Sequence, residues 1–254
     1  IDKSRRVYPA DVAKAIDEDR KNGITPIAVV ATAGTTLTGA IDSISELAQV
    51  CAEKNIWLHV DGAYGLPAAS LPEFKEKFSG LDKADSVTVD AHKWLYLPKA
   101  CGVVLVKNRS ALAAAFSHNE NYMLHDESDM NPVDMTLEYS RPFRALKLWL
   151  AFRVHGAEQF RHAIRHNVAQ AQLCKRLVER EEDLELLAEP QLSTVPFRHV
   201  PTRLKDNETA LNEHNLHLLN VCKRTGVCTF LPPLLMAKCV CVRVLSNFAP
   251  EKKM

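Results

Sequence analysis

Three short apolar runs, each ending in a different reactive group, constrain this chain more than anything else in it. The last, Ser86-Val-Thr-Val-Asp-Ala-His-Lys-Trp94, alternates as a strand does and then delivers a histidine, a lysine and an aromatic ring. Upstream, Trp57-Leu-His-Val-Asp-Gly-Ala-Tyr64 ends in a carboxylate, and Ile27-Ala-Val-Val-Ala-Thr-Ala-Gly-Thr-Thr36 runs into a turn of small and hydroxyl residues. Between these two lies Ser43-Ile-Ser-Glu46, whose capping-box spacing opens a helix with Ile44, Leu47, Ala48 and Cys51 on one face. Strand, helix, strand predicts a parallel pair. Ligands of such sheets bind at the carboxyl ends of the strands, so hydroxyl, carboxylate and amine are expected in one crevice.

The rest of the chain extends an α/β pattern. A helix is predicted over 11–21, closed by Asn22-Gly23, with further strands over 85–89 and 102–106. Residues 117–132 hold few aliphatics and many His, Asn, Asp, Glu and Met, which predicts a long surface loop of the kind that is often functional. Helices follow over 143–153, 158–181 and 208–224, and short strands over 193–200 and 240–245. The pattern changes near Arg144 to Trp149, dividing an α/β part, 1–146, from a smaller α+β part, 147–254.

Composition removes several classes of function. With 46% hydrophobic and 25% charged residues the chain reads as an ordinary soluble domain. A net charge of +1 offers nothing for nucleic acid or an anionic membrane surface to recognise. The apolar runs fall far short of the ~20 residues that span a bilayer. Seven cysteines, an odd number with no C-x-x-C pair, suggest free thiols in a reducing, cytoplasmic compartment. Cys239-Val-Cys241 has no further ligand nearby, so no metal site is expected.

Amine, carboxylate and hydroxyl at neighbouring strand ends describe a site for pyridoxal phosphate (PLP). That cofactor needs an amine to hold its aldehyde as an imine, and Lys93 is the candidate. It also needs a carboxylate that keeps its ring nitrogen protonated, and Asp61 fits; otherwise Asp61 caps the next turn. Ala63 is small where a ring face would rest, and Thr36 offers a hydroxyl near the ring's oxygen substituent. Asp90 and His92 flank the lysine and either orient it or meet the phosphate. His59 and Trp94 read as packing residues.

At these residues the sequence resembles the group II PLP-dependent decarboxylases, the family of the aromatic-L-amino-acid, histidine and glutamate decarboxylases. The resemblance rests on Ala31-Thr-Ala-Gly-Thr-Thr36, His59-Val-Asp-Gly-Ala-Tyr64, Ala84-Asp-Ser86 and His92-Lys-Trp94, extended by Ser140-Arg-Pro-Phe-Arg-Ala-Leu-Lys-Leu-Trp149. It implies a fold-type I PLP-enzyme domain in which Lys93 is the Schiff-base lysine, Asp61 the partner of the pyridinium, and His92 a neighbour of phosphate and imine. It also aligns Tyr122 with a mobile-loop tyrosine that reprotonates Cα after CO2 leaves, unless that tyrosine only packs at a dimer interface. The implied reaction is decarboxylation of a small-molecule L-amino acid. Two alternatives keep PLP, as a carbon-carbon lyase or an aldehyde synthase; a third makes the chain a non-catalytic subunit that completes a partner's site. The resemblance further implies a homodimer, or a heteromer with a chain carrying the N-terminal half, because the family's phosphate-binding loop has no counterpart in these residues.

Overall fold

The computed structural model describes residues 5–117, 132–138 and 140–225. The predicted strands form β1 (Ala28–Thr32), β2 (Trp57–Asp61) and β3 (Ser86–Asp90), which are parallel neighbours, and β4 (Gly102–Val106) runs antiparallel beside β3. In this register Thr32 lies opposite Asp61, Asp61 opposite Thr88, and Asp90 opposite Gly102. Helix α2 (Ile44–Lys54) joins β1 to β2, the long connection that a parallel pair requires. Its Ile44, Leu47, Ala48 and Cys51 pack against Ala31, Leu58 and Val60 on one face of the sheet.

Side chains alternate across a strand, so Val30, His59, Asp61, Thr88, Asp90 and Val104 share the other face. That face is open: Val30 is 59% and Val104 55% exposed. The candidate residues of β2 and β3 therefore stand on the accessible side of the sheet, opposite the face that α2 covers at β1 and β2.

Helix α2 starts where the capping-box spacing places it, at Ile44. Ser43 occupies the N-cap, but its hydroxyl makes no capping bond. Neighbouring Asp42, buried, instead accepts the backbone N–H of Val7 at 2.9 Å and of Thr32 at 2.7 Å, tying the preceding segment to β1. Helix α1 (Pro9–Lys21) opens on a proline in its first turn, where a missing N–H costs nothing, and Lys54 of α2 binds Asp17 on it at 2.6 Å. Residues 66–83 form three 3-10 turns that bury Leu71, Phe74 and Phe78. Helix α3 (Arg109–Phe116) was not expected; none of its residues is buried, so it leaves no apolar stripe to read.

Helix α4 (Arg144–Val178) joins the two predicted helices across Gly156, whose φ of 71° a side chain would resist. It crosses the predicted division at 146–147 and returns Ile164 to the core shared with β1 and β2. Beyond it, β5 (Leu184–Leu186) pairs antiparallel with β6 (Phe197–His199), and α5 (Glu208–Thr225) follows. The side chain of Asn215 acts as a further rung on β6, accepting the His199 N–H at 2.9 Å and donating to its carbonyl at 2.8 Å. The strand predicted over 240–245, with Cys239 and Cys241, lies outside the described residues. Among the described residues no helix is long and apolar enough to cross a membrane.

A chain of hydrogen bonds ties α5 to the small sheet: His199 meets His214 through Nδ1 at 2.7 Å and Asp183 through Nε2 at 2.8 Å. Burial, then the nearby His199, Arg203 and His217, lowers the pKa of His214 below the ordinary imidazole value. The unfolded chain thus takes up this proton first as the pH falls. Stability from a neutral His214 is complete above about pH 6.5 and is lost below it. Urea midpoints are expected to fall between about pH 7 and 5.5, and to fall less in His214→Asn; equal losses in both proteins would remove His214 from this role.

Candidate active site

The carboxyl ends of β1, β2 and β3 are held together by backbone contacts. The Ala33 N–H donates to the Asp61 carbonyl at 2.7 Å, the Gly62 N–H to the Thr88 carbonyl at 3.1 Å, and the Asp90 N–H to the Ala63 carbonyl at 3.0 Å. The turns after β1 and β2 touch through glycines. A Cβ on Gly65 would lie 2.2 Å from the Ala33 carbonyl oxygen, so no larger residue allows this approach. Ligation of the three ends is thus a property of backbone and glycine, with the side chains left to point outward.

At the end of β2, Asp61 is half-buried, and its Oδ1 accepts the Ala63 N–H at 3.0 Å. The turn-capping and cofactor readings of this aspartate are therefore compatible: Oδ1 holds the turn, and Oδ2 has no protein partner among the described residues. Two residues back on the same face, His59 is held by Ser86 and Thr88. Ser86 Oγ accepts the Trp57 indole N–H at 2.8 Å, which leaves its own proton for His59 Nδ1, also at 2.8 Å; His59 Nε2 then carries the ring proton, 3.4 Å from Thr88 Oγ1.

Past β3, Lys93 is exposed, and its Nζ lies 3.0 Å from Asp90 Oδ2. Such an exposed pair contributes only about 0–1 kcal/mol, so the amine is free to exchange Asp90 for another partner. His92 Nδ1 sits 3.2 Å from both the N–H and the carbonyl oxygen of Cys101. Taking the Cys101 N–H leaves the ring proton on Nε2, 3.9 Å from Asp90 Oδ2. Asp90 therefore pairs directly with the lysine, and the histidine stands close by, beyond hydrogen-bond distance.

The fold brings Asp61, Ala63, Asp90, His92 and Lys93 to two adjoining strand ends. Thr36 lies exposed in the turn after β1. Tyr122 lies outside the described residues. Arg144 is engaged by Glu138 at 2.7 Å, and Arg141 donates to Thr136 Oγ1 at 3.2 Å.

Behind the site lies a buried group that strand patterns did not reveal. Tyr64 stacks on Trp94 with centroids 4.9 Å apart and planes at 24°. Its hydroxyl meets the Ser193 hydroxyl and accepts the Ser193 N–H at 3.2 Å and the Thr194 hydroxyl at 3.4 Å. The Trp94 indole N–H donates to Asn167 Oδ1 on α4 at 3.0 Å. One signal for this was present: Asn167 is a polar residue on the stripe Phe160, Ile164, Ala171 that α4 buries.

Comparison with known proteins agrees with this arrangement. The family model for the pyridoxal-dependent decarboxylase conserved domain matches residues 1–200. The aromatic-L-amino-acid decarboxylase of Bacillus atrophaeus is 38% identical over 229 residues, 89% of this chain and 48% of that protein. The phenylacetaldehyde synthase of Petunia hybrida is 35% identical over 220 residues, 83% of this chain and 44% of that protein. The crystal structure of Oryza sativa TDC with PLP and tryptamine superposes with a TM-score of 0.89 at 28% identity, covering 95% of this chain and 50% of that one. The chain thus spans about half the length of the curated relatives it matches. The α/β, fold-type I architecture expected from its motifs is the one it shares with these structures.

Burial pushes the Tyr64 hydroxyl pKa above its ordinary value, and the bonds from Ser193 and Thr194 only partly oppose this. The folded chain holds the proton that the unfolded chain releases near pH ~10. The stability this confers is complete below that pH and is lost above it. Urea midpoints are expected to drop between about pH 9 and 11, and to drop less in Tyr64→Phe; an unchanged pH dependence in that variant would place the titration elsewhere.

Proposed function

The chain belongs to the pyridoxal-dependent decarboxylase family, and from that membership we propose that the protein removes the carboxylate of an L-amino acid as CO2, with PLP as cofactor. The observation that carries the proposal is the pairing of strand ends, which sets the exposed amine of Lys93 one strand away from a carboxylate, Asp61, with one oxygen unengaged. This donor set fits the cofactor: an amine for its aldehyde, a carboxylate for its ring nitrogen, and an open sheet face on which a flat ring can lie.

When bound, PLP supplies an electron sink for the pair released as the bond from Cα to the carboxylate breaks. Lys93 would hold the aldehyde carbon and yield it to the amino group of the substrate. Asp90, 3.0 Å away, would receive the freed ammonium and keep it beside the site. Asp61 Oδ2 would keep the proton on the ring nitrogen, while Oδ1, bonded to the Ala63 N–H, fixes the direction of the carboxylate. Ala63 leaves space for the ring face, Thr36 offers its hydroxyl to the ring oxygen, and His92 presents an N–H toward phosphate or carboxylate. By the family resemblance, Tyr122 would return a proton to Cα.

A second reading is favoured by the similarity to phenylacetaldehyde synthase: the same site would convert an amino acid to an aldehyde. A tyrosine at position 122 supports simple decarboxylation over this outcome. We further propose that the protein works in the cytoplasm as a dimer, or together with a chain carrying the N-terminal half. Exposed Phe143, Trp149 and Val154 support assembly, and the buried Cys51 and Cys101, neither in a disulfide, support a reducing setting.

Borohydride reduction in the presence of PLP is expected to attach the cofactor to Lys93, and Lys93→Ala to abolish both that attachment and amine formation. Attachment elsewhere with activity retained would overturn the assignment. Tyr122→Phe is expected to slow amine release about 10²–10⁴-fold and raise the share of aldehyde, read by product chromatography; an unchanged product ratio and rate would remove Tyr122 from the reaction.

A further inference from the structure

The lysine is carried by a tight turn. After β3 the Lys93 N–H donates to the Asp90 carbonyl at 2.9 Å, the Tyr96 N–H to the Lys93 carbonyl at 3.2 Å, and the Leu97 N–H to the Ala91 carbonyl at 3.1 Å. Closing it places Tyr96 at a φ of 59°, a left-handed backbone that costs a residue with a side chain about 1–2 kcal/mol. Such a conformation persists only where its surroundings impose it.

The surroundings converge on one atom. Trp94, 4% exposed, donates its indole N–H to Asn167 Oδ1 at 3.0 Å, and the Tyr96 hydroxyl donates to the same oxygen. Asn167 itself is 5% exposed, and its Nδ2 donates to Gln170 Oε1 at 3.3 Å. Burying an amide among Phe160, Ile164 and Ala171 is unfavourable by about 1–3 kcal/mol unless it is hydrogen-bonded. On the amide oxygen, the bonds that help offset this cost come from two residues of the strained turn, 94 and 96. Lys93 lies next to the first of them, and its side chain has only a weak, exposed ion pair to direct it. Backbone geometry therefore sets where the amine points.

We propose that Asn167 is a positioning residue for Lys93: by taking the Trp94 N–H and the Tyr96 O–H on one amide oxygen, it clamps the lysine-bearing turn to α4 and aims the amine. The inference rests on Lys93 as the amine that meets the cofactor aldehyde.

The test is competitive labelling of the intact chain with PLP, followed by borohydride reduction and peptide mapping, with Lys93 scored against exposed Lys83 in the same molecules. General loosening of the fold moves both lysines, whereas misdirection of the turn moves only the ratio. Asn167→Leu is expected to lower the Lys93 to Lys83 ratio about tenfold or more. Asn167→Asp, which keeps an acceptor oxygen, is expected to restore most of it. An unchanged ratio in Asn167→Leu overturns the proposal, as does an equal loss in Asn167→Asp, which would make Asn167 a packing residue only. Should Asn167→Leu fail to fold by circular dichroism, Trp94→Phe carries the test: it keeps a ring for the Tyr64 stack and removes the N–H, and the same drop is expected. If Lys93 in the parent chain labels no faster than Lys83, the cofactor reading itself fails, an outcome distinct from a preference for Lys93 that survives loss of the clamp.

Discussion

The parallel pairing of β2 with β3 is the constraint on which the site depends, because only parallel strands leave the sheet by the same edge. Asp61 lies opposite Thr88, and the pairing continues past the strand ends through the Gly62 N–H to Thr88 and the Asp90 N–H to Ala63. An antiparallel pair in the same register would carry the carboxylate and the amine to opposite ends of the sheet. Strand β4, running back beside β3, then returns Cys101 to that edge, where its backbone holds His92. The candidate side chains are thus gathered by main-chain hydrogen bonds, which is why the arrangement tolerates an exposed, weakly held lysine.

The two faces of the sheet divide the labour. Ala31, Leu58 and Val60 close one face against α2 and anchor the fold through apolar burial. His59, Asp61 and Asp90 occupy the other, where Val30 and Val104 remain exposed. Rigidity at the site has a separate source, the stack of Tyr64 on Trp94 and the bonds that tie it to Ser193 and Asn167. These partners lie about a hundred residues from the strands in sequence, so the second part of the chain supports the candidate site carried by the first.

How much of this was legible in the chain follows from the range of the interactions. Alternation and reactive strand ends predicted β1 to β4 within a residue or two, the parallel crossover, and the placing of Asp61, Asp90, His92 and Lys93 at adjoining strand ends. The two helices predicted over 143–153 and 158–181 leave a gap that holds Gly156, where α4 breaks. The capping-box spacing at Ser43 located the start of α2, although the Ser43 hydroxyl makes no capping bond and the bonds of Asp42 to Val7 and Thr32 left no local sign. Helix α3 was invisible because it buries nothing. The Tyr64 to Ser193 contact spans 129 residues and carries no periodic trace.

By itself, then, the sequence determined which reactive groups the chain carries, the strands that end in them and the family to which it belongs, since each of these is written in local order and spacing. Tertiary structure alone decided that Asp61 keeps one oxygen without a partner among the described residues, that Asp90 pairs with Lys93, and that a buried amide on α4 meets both Trp94 and Tyr96. Those outcomes depend on which distant groups meet once the chain is packed, and a hydrogen bond between residues far apart in sequence leaves no pattern in either neighbourhood.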